Sequence, residues 1–191
     1  METVVLDFER GERFFSREID ERLIGASLRA LPFMAESIRV KQKALEDIRG
    51  FTYNSISPVD ILERWDELWQ RAETVRRLRF LREVLVRFMK SLRASERKFL
   101  GKFYQLGLAE RDVAATIGRS QSYVRYKKEL LLMRAEAALL RAGITEDVFL
   151  AWFDGEALFT YWLEADEDLA EEELIDVDNE AGVEEARREA V

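Results

Sequence analysis

The chain has 191 residues, 48% of them hydrophobic, which is enough for one substantial domain with a smaller appendage. It holds no cysteine and no histidine, which removes disulfides, thiolate chemistry, histidine-based nucleophile triads, zinc fingers and histidine metal sites. The formal charge of −8 is spread unevenly: residues 71–141 carry 18 basic against 7 acidic side chains, and residues 164–191 carry 2 against 13.

Nucleic-acid affinity follows local positive charge rather than the balance of the whole chain. The basic middle therefore points to a polyanion, with a plain solvated set of helix faces as the alternative. No stretch approaches 18 consecutive apolar residues, so no membrane partner is expected. The opening METVVLDFERGERFF lacks a basic region followed by a long apolar run, and a cytoplasmic location is expected.

Residues 3–15 alternate loosely around Arg10-Gly11, which fits a short hairpin or an extended arm. From Ser16 to Arg49 the spacing is helical. Ile19, Leu23, Ala26 and Ala30 form one stripe; Met34, Ile38, Leu45 and Ile48 form another. Pro32 should break or kink the chain between them, because it lacks an amide proton and crowds the preceding turn. Gly50 suits the left-handed residue that commonly ends a helix. Ser57-Pro58-Val59-Asp60 then reads as a helix start, with a capping hydroxyl, a proline at the first position and an acid at the positive end of the dipole.

That helix is expected over about 58–92, with apolar residues at Ile61, Trp65, Leu68, Ala72, Val75, Leu78, Leu81, Leu85, Phe88 and Leu92. At ~1.5 Å per residue it spans roughly 50 Å. Three-residue steps through Val75–Leu81 spoil a clean heptad, which favours a hairpin with the preceding helix over a simple two-chain zipper. Trp65 and Trp69 are read as interior packing between helices. A helix from Ser95 to about Tyr104 follows, then Gly107.

The stretch Glu110–Lys127, ERDVAATIGRSQSYVRYK, reads as two helices around a turn at Gly118. Val113, Ile117 and Val124 would face a shared core, with small Ala114 where the helices approach most closely. Gly118 makes positive φ inexpensive, and Ser120 caps the second helix. This is the pattern of a helix-turn-helix that lays its second helix in the major groove. Arg119, Ser120, Gln121, Ser122, Tyr123, Arg125 and Tyr126 lie at or near the start of that helix. Arginine can bind guanine bidentately and glutamine can pair with adenine, while Lys127 and Lys128 suit phosphate contact. Arg119 and Lys127 stand where such motifs usually hold apolar residues; Lys127 is expected to pack its stem and extend its ammonium to solvent. An ordinary helical hairpin with a basic surface, or a motif used for protein contact, would carry the same pattern.

The second motif helix should continue through Ala135–Leu140 and end at Gly143. Thr145 would cap a short helix holding Phe149, Trp152 and Phe153, followed by an apolar run to Leu163. Six aromatics within Phe149–Trp162 are read chiefly as core closing the bundle, or else as a partner-binding patch. From Glu164 the composition turns acidic, as in a disordered tail. Such a tail could also compete with DNA for the basic segment.

On these residues, Leu92–Leu140 resembles region four of bacterial sigma factors. The resemblance rests on Ser95-Glu96-Arg97-Lys98-Phe99-Leu100, Phe103-Tyr104, Gly107-Leu108, Asp112-Val113-Ala114 with Ile117-Gly118, then Ser120 and Val124-Arg125. With paired helices placed before the module, more of the chain resembles the phage ArpU/RinA-type transcriptional regulators. The resemblance implies that Gln121, Ser122, Arg125 and Lys128 face DNA. Nothing here is similar to sigma region two, which opens promoters.

The expectation is an all-α protein in four parts. Residues 1–92 form a helical N-terminal bundle or hairpin whose long helix leads into the DNA-binding module at 93–143. An aromatic helical appendage (144–163) and a disordered acidic tail (164–191) follow. It would be a sequence-specific transcription regulator of double-stranded DNA, from a phage or mobile element. It would act as a homodimer or beside RNA polymerase, because one such helix covers few base pairs. Two alternatives remain open: an adaptor docking on RNA polymerase or another regulator, and a phage packaging component that binds DNA non-specifically. No catalytic constellation, phosphate loop, metal site or cofactor site is expected.

Overall fold

The computed structural model describes residues 18–51 and 58–164, and all regular structure among them is helical. The expected arm at 3–15, the helix cap at Ser57 and the acidic tail beyond Glu164 lie outside the described residues.

Six helices follow in order: α1 (Glu21–Phe51), α2 (Pro58–Ser91), α3 (Ala94–Tyr104), α4 (Glu110–Ile117), α5 (Gln121–Arg141) and α6 (Glu146–Phe153). A last helical stretch covers 157–164. α1 and α2 lie side by side, with Lys41 and Ala44 level with Arg71 and Thr74. Of the two α1 stripes read from the sequence, Ile19, Leu23, Ala26, Ala30, Met34 and Ile38 are buried, as are Val75, Leu78, Leu81, Leu85, Phe88 and Leu92; Leu45 is half-buried, and the Ile48 side chain lies outside what is described.

α1 begins five residues later than its periodicity suggested, and carboxylates fix that start. The Asp20 carboxylate accepts the Arg22 amide at 2.8 Å. Glu136 of α5 accepts the amides of Glu18 and Ile19 at 2.7 and 3.1 Å, and Glu146 of α6 accepts that of Asp20 at 2.7 Å. The three amides just before the helix are thus satisfied by oxygens from two later elements, whose negative charge the helix dipole also favours.

Two local expectations for α1 fail. Pro32 lies inside a continuous helix rather than between two. Its ring sits on the exposed face, while buried Ala30 and Met34 hold the helix to the core across it. Gly50 falls within the final turn rather than after it, and the helix ends two residues later than expected, a difference of the size by which helix ends fray.

α2 carries a larger correction. Trp65 and Trp69, expected inside, are 62% and 73% exposed, and Ala72 is exposed as well. Among the described side chains of residues 65–75, only Leu68 and Val75 are buried. α1 covers a single stripe of α2, so side-chain size does not decide which residues are buried there.

The α2–α3 junction is sealed by Arg97, whose guanidinium donates to the Leu92 carbonyl at 2.8 Å. α5 packs on α1, α2 and α3 through Leu131, Leu132, Ala135 and Leu139. The Thr145 hydroxyl accepts the Val148 amide and caps α6. Phe149, Phe153 and Phe159 are buried, with ring centroids 4.8–5.2 Å apart. The core reading therefore holds for these three aromatics, whereas Tyr161 is exposed.

Candidate nucleic-acid interface

α4 and α5 are joined by three residues, Gly118, Arg119 and Ser120. Gly118 has φ 64° and ψ 42°, the left-handed conformation that the turn was expected to need. A Cβ built there would meet nothing within 4 Å, so the preference for glycine is conformational rather than steric. The Ser120 hydroxyl accepts the Tyr123 amide at 3.3 Å and starts α5. Val113, Ala114 and Val124 are buried where the two helices meet, and Ile117 is half-buried.

Seven of the eight residues expected to contact DNA are exposed together around the start of α5: Arg119, Ser120, Gln121, Ser122, Tyr123, Arg125 and Tyr126. The Arg119 guanidinium lies 5.7 Å from the centroid of the Tyr123 ring. The eighth, Lys128, is half-buried. Its ammonium is 3.3 Å from Glu21 and 3.8 Å from Glu110, and 5.8 Å from the centroid of the Phe103 ring. A cation held between two carboxylates and a ring braces α1, α4 and α5 rather than reaching outward.

Lys127 also departs from expectation. Its ammonium does not extend to solvent but donates to Glu96 Oε1 at 3.0 Å. Arg134, two turns along the same face, donates to the same oxygen at 3.2 Å. Glu96 Oε2 accepts the Arg93 amide at 3.0 Å. The Arg93 amide, then Lys127, hold the Glu96 carboxyl at about 2, well below its usual value. The polar residue at a normally apolar position of α5 is thus explained by a buried carboxylate on α3.

Arg125 keeps its exposure but has a partner: its Nε is 3.2 Å from Glu110 Oε2. Glu110 opens α4, near the positive end of that helix dipole. Glu96 and Glu110 were not singled out from the sequence. Glu96 did carry a signal, an acid three residues after Arg93, the residue that caps α3, where a carboxylate can reach back to the cap amide. Glu110 carried none, because its partners are 15 and 18 residues away.

The arrangement presents a short polar and aromatic strip on a helix start, backed by a row of internal ion pairs. Among the described residues no cluster of acidic side chains could hold a metal ion, and no helix is long and apolar enough to cross a membrane. No family model, no curated protein and no solved structure matches this chain.

Proposed function

We propose that this chain binds duplex DNA through the first turns of α5, as a sequence-reading transcription regulator of the sigma-region-four-like, helix-turn-helix kind. One observation carries the reading: Arg119, Gln121, Ser122 and Arg125 are exposed together on a capped helix start whose opposite side is anchored by Val124 and Leu131. Base readout needs side chains with paired donors or acceptors on a rigid support that fits the major groove. Arg125 would read a guanine edge and Gln121 an adenine edge. Lys127 and Lys128 do not belong to this contact set, since their ammonium groups are committed to Glu96, Glu21 and Glu110.

The test is selection from a pool of random duplexes at moderate salt, followed by binding of the Arg125→Ala variant to the enriched sequence. An enriched motif, with discrimination lost at one base position by about 1–3 kcal/mol in the variant, supports base readout. Retention without enrichment supports a packaging component, and no retention removes the DNA reading.

A second reading is favoured by one observation. Tyr123, Tyr126 and Leu130 are all exposed along one stripe of α5, and exposed aromatics on a helix also suit a protein groove. On that reading the module docks on RNA polymerase or another regulator. Tyr126→Ala would then abolish the protein contact while binding to random duplex stays at the non-specific floor.

A further inference from the structure

Trp65 and Trp69 leave roughly 300 Å² of ring surface in water, taking ~150–250 Å² per aromatic side chain and their 62% and 73% exposure. That exceeds a third of the ~800 Å² each partner contributes to a standard interface. We propose that the stripe holding them is the seam of a homodimer, in which α2 pairs antiparallel with the α2 of a second copy.

Trp65, Trp69, Ala72 and Arg76 follow one another in steps of four, three and four residues, the spacing of a helix–helix seam. All four are exposed, and the stripe is separate from buried Leu68 and Val75. The series is complementary to its own reverse. A two-fold axis between Gln70 and Arg71 sets Trp69 against Ala72 of the second copy, a large side chain over a small one. It also sets Trp65 under Arg76 of the second copy, a guanidinium over an indole. Arg76 is held by Glu73 at 2.7 Å through its edge, which leaves the guanidinium face for the ring.

Charge selects the direction. Residues 58–70 carry four acidic side chains and one basic; residues 71–91 carry seven basic and two acidic. Antiparallel pairing lays the acidic segment of each helix along the basic segment of the other, whereas parallel pairing would set like on like.

The full chain is tested without DNA, so the outcome is independent of the DNA reading. Sedimentation at tens of micromolar is expected to give twice the 22.4 kDa chain mass. Trp69→Asp is expected to give the single mass with an unchanged helical circular dichroism spectrum. Because the chain has no cysteine, single cysteines report the register. Ala72→Cys should cross-link with a short bismaleimide, and Glu83→Cys, on the same stripe but far from the axis, should not. A monomer at every concentration, a dimer that survives Trp69→Asp, or cross-linking through Glu83→Cys would each overturn the proposal. If Trp69→Asp loses helicity, the two cysteine variants decide the matter alone.

Discussion

The side chains around α5 divide by what holds them rather than by type. Lys127 and Arg134 share one oxygen of a nearly buried carboxylate, Glu96, whereas Arg125 lies exposed against Glu110. The two carboxylates therefore predict different outcomes. Glu96→Gln should lower stability by on the order of 2 kcal/mol, because hydrogen bonds to charged groups are the stronger ones. The folded-state pKa of Glu96 is depressed to about 2 from 4.5, so its contribution is present above pH 4.5 and is lost as pH falls toward 2. Melting curves of the two proteins should accordingly converge over that window; a gap that stays constant down to pH 2 would contradict the assignment. Glu110→Gln removes the carboxylate facing both Arg125 and Lys128. It should tighten binding to any duplex several-fold at low salt, with a gain that shrinks as salt rises. Unchanged affinity would mean that Arg125 does not face DNA.

At the scale of elements, α4 and α5 depend on three residues of turn and one cap. Gly118→Ala should destabilise by about 1 kcal/mol for a left-handed residue with a Cβ. Ser120→Ala should cost ~1 kcal/mol through the lost bond to the Tyr123 amide. Both effects are readable by chemical denaturation. Ser120→Asp, which keeps the cap, should restore stability but weaken DNA binding, since it adds negative charge at the end proposed to enter the groove. Equal DNA affinity for the serine, alanine and aspartate proteins would argue against α5 entering the groove. The start of α1 is set both locally and from a distance: Asp20 accepts the Arg22 amide, while Glu136 of α5 and Glu146 of α6 accept the amides of the three residues just before the helix.

For the molecule as a whole, the α1–α2 pair is a lever with the α4–α5 module at one end and the exposed tryptophans toward the other. About 22 residues of α2 separate the proposed two-fold axis from α3, roughly 33 Å. Two modules would then stand on the order of 70 Å apart, two turns of B-DNA rather than one. Sequences selected by the dimer are expected to show inverted half-sites with centres about 20–21 base pairs apart; half-sites one turn apart would be inconsistent with the α2 seam. The acidic residues from Glu164 onward follow a helix end that lines a hollow with Leu23, close to the Glu21–Lys128 contact. Removing residues 165–191 should tighten DNA binding at low salt, and an unchanged dissociation constant would leave those charges without a role in it.

The sequence by itself determined what local rules govern. The all-helical character of the described residues follows from three- and four-residue apolar spacing. The breaks at Gly107, Gly118 and Gly143, all at positive φ, follow from the freedom of glycine. The caps at Ser120 and Thr145 follow from a hydroxyl three residues before an unmatched amide. Only the tertiary structure decided the rest. Pro32 stays helical because the residues on either side of it are pinned to α2. Trp65 and Trp69 face water because α1 covers one stripe of α2 and no more. Lys127 and Lys128 turn from presumed phosphate contacts into braces because Glu96, Glu21 and Glu110, up to 107 residues away in sequence, are brought beside them. Spacing within a helix fixes which residues share a face, but the neighbour that meets the face comes from a distant segment, and that neighbour decides whether a charge is spent inside the fold or left for a partner.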